Sequence, residues 1–317
     1  MKGWLFTEAG VEPRLIEKED PHAVPGEVVI DVKAAGLCHS DAAALEDAGW
    51  MSSIQAAPCI FGRECAGVIA EVGEGVTRWN VGDRVGVNPT NAATGEAIGY
   101  HRDGGYATKC LVPQEQLVAL PDSVSFVQGA AGADAGCTSY HALFTVGEAK
   151  PGMKVGIIGI GGLGQFAAQM AVIRGCEVYA ADVSGEARDL ARRIECAKVC
   201  SDVRDMAGDA PELIIDYAGF GSTTAGAIEA VADMGTVVVV GMGVLESTIN
   251  TYLLITKQIR LLGSMSGDNV DLEGVYKLFG TGRLRPQLTE VGLEEVGEGL
   301  KRLRAGEVKG RLVAVID

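Results

Sequence analysis

The residues best placed to do chemistry form a tight glycine cluster, Gly159-Ile160-Gly161-Gly162-Leu163-Gly164, between an apolar run (155–159) and a helical stretch (165–174). In a strand, turn and helix setting each glycine has a distinct role. Gly159 permits the tight turn, Gly161 lets the backbone approach a pyrophosphate, and Gly164 lets the helix pack closely on the strand. Gly162 and Leu163 complete a turn that offers two phosphates the positive end of a helix dipole. The next strand-like run ends at Asp182, 18 residues beyond Gly164. A carboxylate at that separation reaches the adenosine ribose hydroxyls and repels a 2′-phosphate, so the site favours NAD. A glycine turn without a ligand is the alternative, and strand, helix and acid standing in register argue against it. Arg188, in the next helix, either accommodates part of an NADP phosphate or belongs to a solvated helix face.

The elements that must hold this turn are legible too. From Pro151 onward strand, turn and helix alternate, with strands at 155–159, 177–181, 213–217, 236–241 and 259–263. Near-continuous apolar runs such as Val237-Val238-Val239-Val240 suit a parallel sheet covered on both faces, hence a doubly wound α/β domain. The first ~125 residues read differently, as short β-type runs at 28–33, 67–72, 84–87 and 106–112 broken by Gly and Pro. A helix at 293–305 and a strand at 310–316 close the chain.

The 317 residues suffice for two domains with separate cores. Lys and Arg number 27 against 42 Asp and Glu, and the resulting net charge of −15 excludes nucleic acid and anionic membrane surfaces as partners. The opening residues lack an apolar run fit for a signal peptide or a span, so a cytoplasmic protein acting on a small molecule is expected. Eight cysteines without a Cys-x-x-Cys pair read as reduced, mostly buried thiols.

Several further segments belong together: AGLCHSD at 35–41, GRECAG at 62–67, VGDRV at 81–85, GGYA at 104–107, AGCTSY at 135–140 and the residues from Gly306 to Val313. With the glycine turn they resemble the medium-chain dehydrogenase/reductase family, in its zinc-dependent alcohol dehydrogenase branch, over nearly the whole chain. The resemblance implies a mostly β GroES-like catalytic domain from both chain ends (1–125 and 285–317), a Rossmann NAD-binding domain between them (126–284), an active site in the cleft, and a homodimer. Carried over residue by residue, Cys38 matches the first zinc ligand and Ser40 the hydroxyl that exchanges a proton with the substrate oxygen. His39 and Arg311 match pyrophosphate contacts, and Thr138 a contact beside the nicotinamide. Val240, Met242 and Ser264 fall in strand-end loops that hold the nicotinamide amide.

The departures bear on the chemistry. Arg63 stands where the family pattern has a zinc-binding His, and a guanidinium cannot coordinate a metal. Asp134 stands where a third ligand, usually Cys, is common; Ala43 replaces the His of the proton relay; and residues 88–106 contain no Cys for a structural zinc. We therefore expect no metal, with Arg63 paired to Asp134 and Asp41 in the vacated position. The competing reading keeps zinc on Cys38, Glu64 and Asp134, although the guanidinium competes for the carboxylates and repels the ion. Without metal, Cys38 is a residual core thiol, or a nucleophile if Arg63 depresses its pKa. Hydride addition to a conjugated C=C or to a C=O then needs only hydrogen-bond donors, from Ser40 or Arg63. A zinc alcohol dehydrogenase with altered ligands and a catalytically silent NAD-binding relative are the alternatives. Trp50, Met51 and the loop 90–100 are expected to line the substrate pocket; Tyr100 and His101 either reach the cleft or, the favoured reading, are ordinary loop residues.

Overall fold

A computed structural model describes residues 1–47, 49 and 54–317, so Trp50 and Met51 lie outside the described residues. The chain opens with β1 (Lys2–Phe6), β2 (Arg14–Glu17), β3 (Glu27–Gly36), α1 (His39–Glu46), β4 (Cys59–Ile60), β5 (Glu64–Val72), β6 (Arg84–Val87), β7 (Lys109–Pro113), β8 (Leu117–Ala119) and α2 (Phe126–Ala131). A π-helical run (Gly132–Gly136), α3 (Cys137–Tyr140) and a second π-helical run (His141–Val146) continue from α2. Then β9 (Lys154–Ile158), α4 (Gly164–Arg174), β10 (Glu177–Ala181), α5 (Gly185–Arg193), β11 (Lys198–Cys200), β12 (Leu213–Asp216), α6 (Gly221–Ala230), β13 (Thr236–Val239), α7 (Thr251–Thr256) and β14 (Arg260–Gly263) alternate. The last elements are α8 (Asn269–Gly280), β15 (Leu288–Gly292), α9 (Val296–Arg304) and β16 (Arg311–Val315).

Two compact units result: residues 1–134, 268–280 and 288–317 form the first, and 135–267 with 281–287 the second. Among the described residues the first unit holds a sheet in the order β15-β16-β3-β5-β6-β8, with β7 also on β3, and a small sheet β2-β1-β4. β3 is the spine. It pairs antiparallel with β5 from Val28 to Gly36 and offers its other edge to β7 and β16. Val28, Ile30, Val32 and Ala35 enter a core shared with Leu37, Leu300 and Leu312, and the rings of Phe6 and Phe61 stack at 4.1 Å. This is the GroES-like unit.

The second unit is a Rossmann domain, an all-parallel sheet in the order β11-β10-β9-β12-β13-β14. β12 is buried at every residue and β9 at all but its first, as their apolar sequences require of central parallel strands. Strand order reverses between β9 and β12, which opens a crevice at their carboxyl ends.

The units divide the chain differently from the expected boundaries at 125 and 285. Residues 126–134 and α8 belong to the first unit because Tyr276, fully buried, packs against Gly132 and donates its hydroxyl hydrogen to the Gly129 carbonyl at 2.9 Å. Residues 281–287 return to the second unit, pinned by two glutamines of α4: Gln169 accepts from the Arg285 amide at 2.7 Å, and Gln165 from the Gln287 amide at 2.6 Å. Among the described residues no helix is long and apolar enough to cross a membrane.

Candidate active site

In the Rossmann unit, β9 ends at Ile158 and Gly159 turns the chain at φ +81°, a left-handed value natural to glycine. A Cβ on Gly164 would land on the Gly159 carbonyl oxygen, so α4 can begin there only with glycine. At Gly161 a Cβ would meet nothing within 4 Å, which leaves open space beside the turn where a pyrophosphate must approach. The residues present therefore fit a dinucleotide.

Asp182 follows β10 directly. Its Oδ2 accepts from the Ile160 amide at 2.7 Å and its Oδ1 from the Ser184 amide at 2.8 Å, which ties the acid expected at the ribose to the glycine turn. Arg188 donates to the carbonyls of Asp182 and Val183 at 2.8 and 2.9 Å, so it braces this loop and is not a free helix face. Thr138 is buried in α3, and its neighbour Ser139 donates to the Leu163 carbonyl at 2.9 Å, holding the last corner of the turn. Val240 and Met242 follow β13, with Met242 exposed, while Ser264 follows β14 and keeps a buried hydroxyl without a partner among the described residues.

In the GroES-like unit the catalytic candidates do converge. Cys38 caps the start of α1, which places His39, Ser40 and Asp41 in its first turn, and β5 begins at Glu64 immediately after Arg63. Asp134 lies on the π-helical run, where the extra residue per turn changes the facing of side chains relative to an α-helix. One atom each of Cys38, Glu64 and Asp134 lies within 4.8 Å of the others.

Two guanidinium groups are built into this cluster. Arg311 donates through Nε to Glu64 Oε2 at 2.9 Å and through Nη2 meets Glu64 Oε1, a two-point pair with both residues buried. Arg63 reaches Asp134, Nη2 to Oδ2, at 3.4 Å with both side chains largely buried, and its Cζ lies 5.0 Å from the Tyr100 ring centroid. The expected second partner differs. Among the described residues Asp41 makes no hydrogen bond to Arg63; its Oδ2 instead accepts from the fully buried Tyr106 hydroxyl at 2.6 Å, and its Oδ1 has no partner there. The Tyr106 hydroxyl, which also lies 3.1 Å from the Gly36 carbonyl, holds that carboxylate oxygen.

Burial drives the Asp41 carboxyl up to about 6, against the hydrogen bond from Tyr106 and the charge of Arg63. Burial works against the charge on Arg63 as well, but Asp134, Tyr100, Cys38 and Asp41 outweigh it and hold the guanidinium protonated. Crowding of the His39 ring, with the positive charge of Arg311, lowers its pKa. A zinc ion needs several lone pairs turned to one point. Here both Glu64 oxygens face Arg311 and Asp134 Oδ2 faces Arg63, so fixed cations stand beside two of three candidate ligands. The donor set fits a dication poorly.

Three residues of consequence, Tyr106, Ser139 and Asp216, were not singled out by the sequence, and a fourth, Tyr100, was read as an ordinary loop residue. Tyr100, in the shortened loop, is buried against Phe61 and Arg63. Tyr106 orients Asp41, and Ser139 holds the glycine turn. Asp216 ends β12 and accepts from the amides of Ala218 and Gly219 and the hydroxyls of Thr223 and Thr224, which anchors α6. Only Asp216 left a local signal, an acid at a strand end before a Gly- and Thr-rich helix start.

Fold and sites define a two-domain dinucleotide-linked oxidoreductase. The sequence-family model "Alcohol dehydrogenase GroES-like domain" matches residues 24–122, and "Zinc-binding dehydrogenase" matches residues 162–280. The chain is 32% identical over 327 residues to an alcohol dehydrogenase of Geobacillus stearothermophilus, covering 95% of each chain. It is 30% identical to an NAD-dependent alcohol dehydrogenase of Sulfolobus acidocaldarius, covering 99% of each. Among solved structures, an acetophenone reductase of Geotrichum candidum in complex with NAD superposes with a TM-score of 0.89 at 29% identity, over 99% of this chain and 96% of that one. The alcohol dehydrogenase of Aeropyrum pernix gives 0.91 at 28%, over 99% and 100%. The chain belongs to the zinc-type alcohol dehydrogenase branch of the medium-chain dehydrogenase/reductase family.

Proposed function

We propose that this chain is a zinc-independent, NAD(H)-dependent reductase that adds hydride to a C=O, or to a C=C conjugated with one, of a small organic substrate. The observation that carries the reading is the Arg63–Asp134 pair at the ligand positions of the family's metal, beside a Glu64 already bound by Arg311. The cofactor is NAD: Asp182, bonded to the glycine turn at the end of the second strand, is the acid expected to take the ribose hydroxyls, and relatives named for NAD dependence or NAD binding support it. When bound, the dinucleotide supplies the hydride. The chain's own groups do the rest. The glycine turn and Asp182 orient the cofactor, and Arg63 provides a fixed positive charge that stabilises negative charge developing on the substrate oxygen, the work a metal would otherwise do. Ser40 belongs to the path that delivers the proton.

The test is NADH oxidation followed at 340 nm with aryl ketones and conjugated enones, using protein treated with chelator and assayed for residual zinc. Turnover with less than roughly a tenth of a zinc per chain supports the reading. Stoichiometric zinc whose removal abolishes turnover overturns it and favours the second reading, zinc on Cys38, Glu64 and Asp134, which the 4.8 Å clustering of those atoms supports. A homodimer fits the second unit, since β14 is an edge strand with Leu261 exposed and Tyr252, Ile255 and Met265 exposed nearby; light scattering giving a monomer mass removes it. Free thiols on all eight cysteines fit a reducing, cytoplasmic setting.

A further inference from the structure

We propose that Tyr100 is the proton donor of the reaction, with Ser40 as the group that reprotonates it, and that the substrate bond reduced is therefore a carbonyl C=O. This rests on the zinc-independent reading above and deepens it.

The observation is a set of buried donors that lack acceptors. Ser40 Oγ, Tyr100 Oη and Arg63 Nε are each shielded from solvent and without a hydrogen-bond partner among the described residues. Leaving one such group buried without a partner is costly, and three within one cluster point to a ligand acceptor. They are neighbours. The Arg63 guanidinium lies over the Tyr100 ring at 5.0 Å, and the Ser40 hydroxyl faces that of Tyr100 without a well-aligned bond. Tyr100 is also firmly held. Its carbonyl accepts from the Ala56 amide at 3.0 Å, its amide donates to the Ala97 carbonyl at 3.3 Å, and its ring tilts against Phe61 at 6.2 Å. A phenol so fixed can present its hydrogen without reorganising.

The chemistry selects the substrate bond. Burial and the nearby Asp41 raise the phenol's pKa, so it carries its proton at neutral pH, while Arg63 and Ser40 pull the other way and favour release when negative charge forms beside it. Hydride reaching a carbonyl carbon pushes the π pair of C=O onto oxygen. The Tyr100 O–H bond breaks as an O–H bond forms at that oxygen, leaving a phenolate under the charge of Arg63. Ser40 returns a proton to the phenolate and recovers one from water that enters as the product leaves. Ketone, hydride and one solvent proton thus give a secondary alcohol. In a conjugate reduction the proton must reach a carbon two bonds from the oxygen that these donors would clamp, so clustered O–H and N–H donors suit the carbonyl.

The experiment uses the full-length, metal-stripped protein with NADH and two probes, acetophenone and 2-cyclohexen-1-one. The wild type should give 1-phenylethanol and the allylic alcohol 2-cyclohexen-1-ol, with a normal solvent deuterium isotope effect on kcat. Tyr100→Phe should lower kcat by roughly 10²–10⁴-fold, change KM for acetophenone by less than about threefold, and keep the wild-type Kd for NADH. A merely structural tyrosine would instead move KM, Kd and melting temperature together. Two results overturn the proposal while leaving the zinc-independent reading intact: a Tyr100→Phe kcat within about threefold of wild type, or cyclohexanone as the product. A wild type that turns over only with added zinc removes both.

Discussion

Replacing Arg63 with His should convert this site into a zinc site, and the effect can be sized from the geometry. A zinc held by Asp134 Oδ2 at about 2.2 Å would lie no more than about 5.6 Å from Arg63 Nη2, because those two protein atoms are 3.4 Å apart. A unit charge and a dication at that separation, at an effective dielectric near 20, repel by about 6 kcal/mol, or roughly 10⁴-fold in affinity. Arg63→His removes that repulsion, ends the Arg63 contact with Asp134 and adds an imidazole to Cys38, Glu64 and Asp134. Arg63→Ala removes the repulsion alone. Competition against a chromophoric zinc chelator should show wild-type affinity weaker than roughly 10 μM, a gain for Arg63→Ala, and a further gain for Arg63→His that brings the total to roughly 10⁴-fold or more. Wild-type protein that carries one zinc per chain through gel filtration refutes the reasoning. So do two variants that bind zinc no more tightly than wild type.

Other perturbations test separate parts of the site. Arg311→Met should destabilise the fold by about 3–5 kcal/mol, because it leaves the Glu64 charge buried and unpaired, while adding Glu64→Gln should recover most of that loss in urea unfolding. Asp41, with its folded pKa raised from 3.8 to about 6, contributes stability that is full below 3.8 and lost as pH rises through 6. Asp41→Asn mimics the protonated form, so its stability relative to wild type should be up to about 3 kcal/mol greater at pH 7.5 than at pH 4; a pH-independent difference, with Tyr106, Arg63, Asp134 and Arg311 all still facing the site, disproves the assignment. Gly161→Ala should leave melting unchanged, since its Cβ meets open space, yet weaken NADH binding more than roughly tenfold because the pyrophosphate needs that space. Unchanged affinity by fluorescence titration would place the dinucleotide elsewhere.

Much of the cofactor half was legible because its signals are local. A glycine that must take positive φ, a glycine whose Cβ would strike a carbonyl, and an acid at the end of the next strand all lie within 24 residues, from Gly159 to Asp182. The apolar runs of β9, β12 and β13 announced a doubly covered parallel sheet for the same reason, since a strand's burial is written in its own residues. Domain limits were less legible. Residues of α8 look like one more helix of the alternating series, and it is packing that assigns it to the GroES-like unit: Tyr276 fits against Gly129 and Gly132, and Asn269 donates to the Glu115 carbonyl.

For the catalytic half, the sequence by itself determined that a guanidinium and a carboxylate, Arg63 and Asp134, stand where family members place metal ligands; a substitution of residue type needs no structure to be seen. What those groups touch was decided by the tertiary structure alone. Arg311 meets Glu64 across 247 positions of chain, Tyr106 meets Asp41 across 65, and Tyr100 comes under Arg63 and beside Ser40 through a loop with no periodic signal. Such pairings depend on strand register and loop path, and a buried charge or hydroxyl takes whichever partner that packing brings within hydrogen-bond reach.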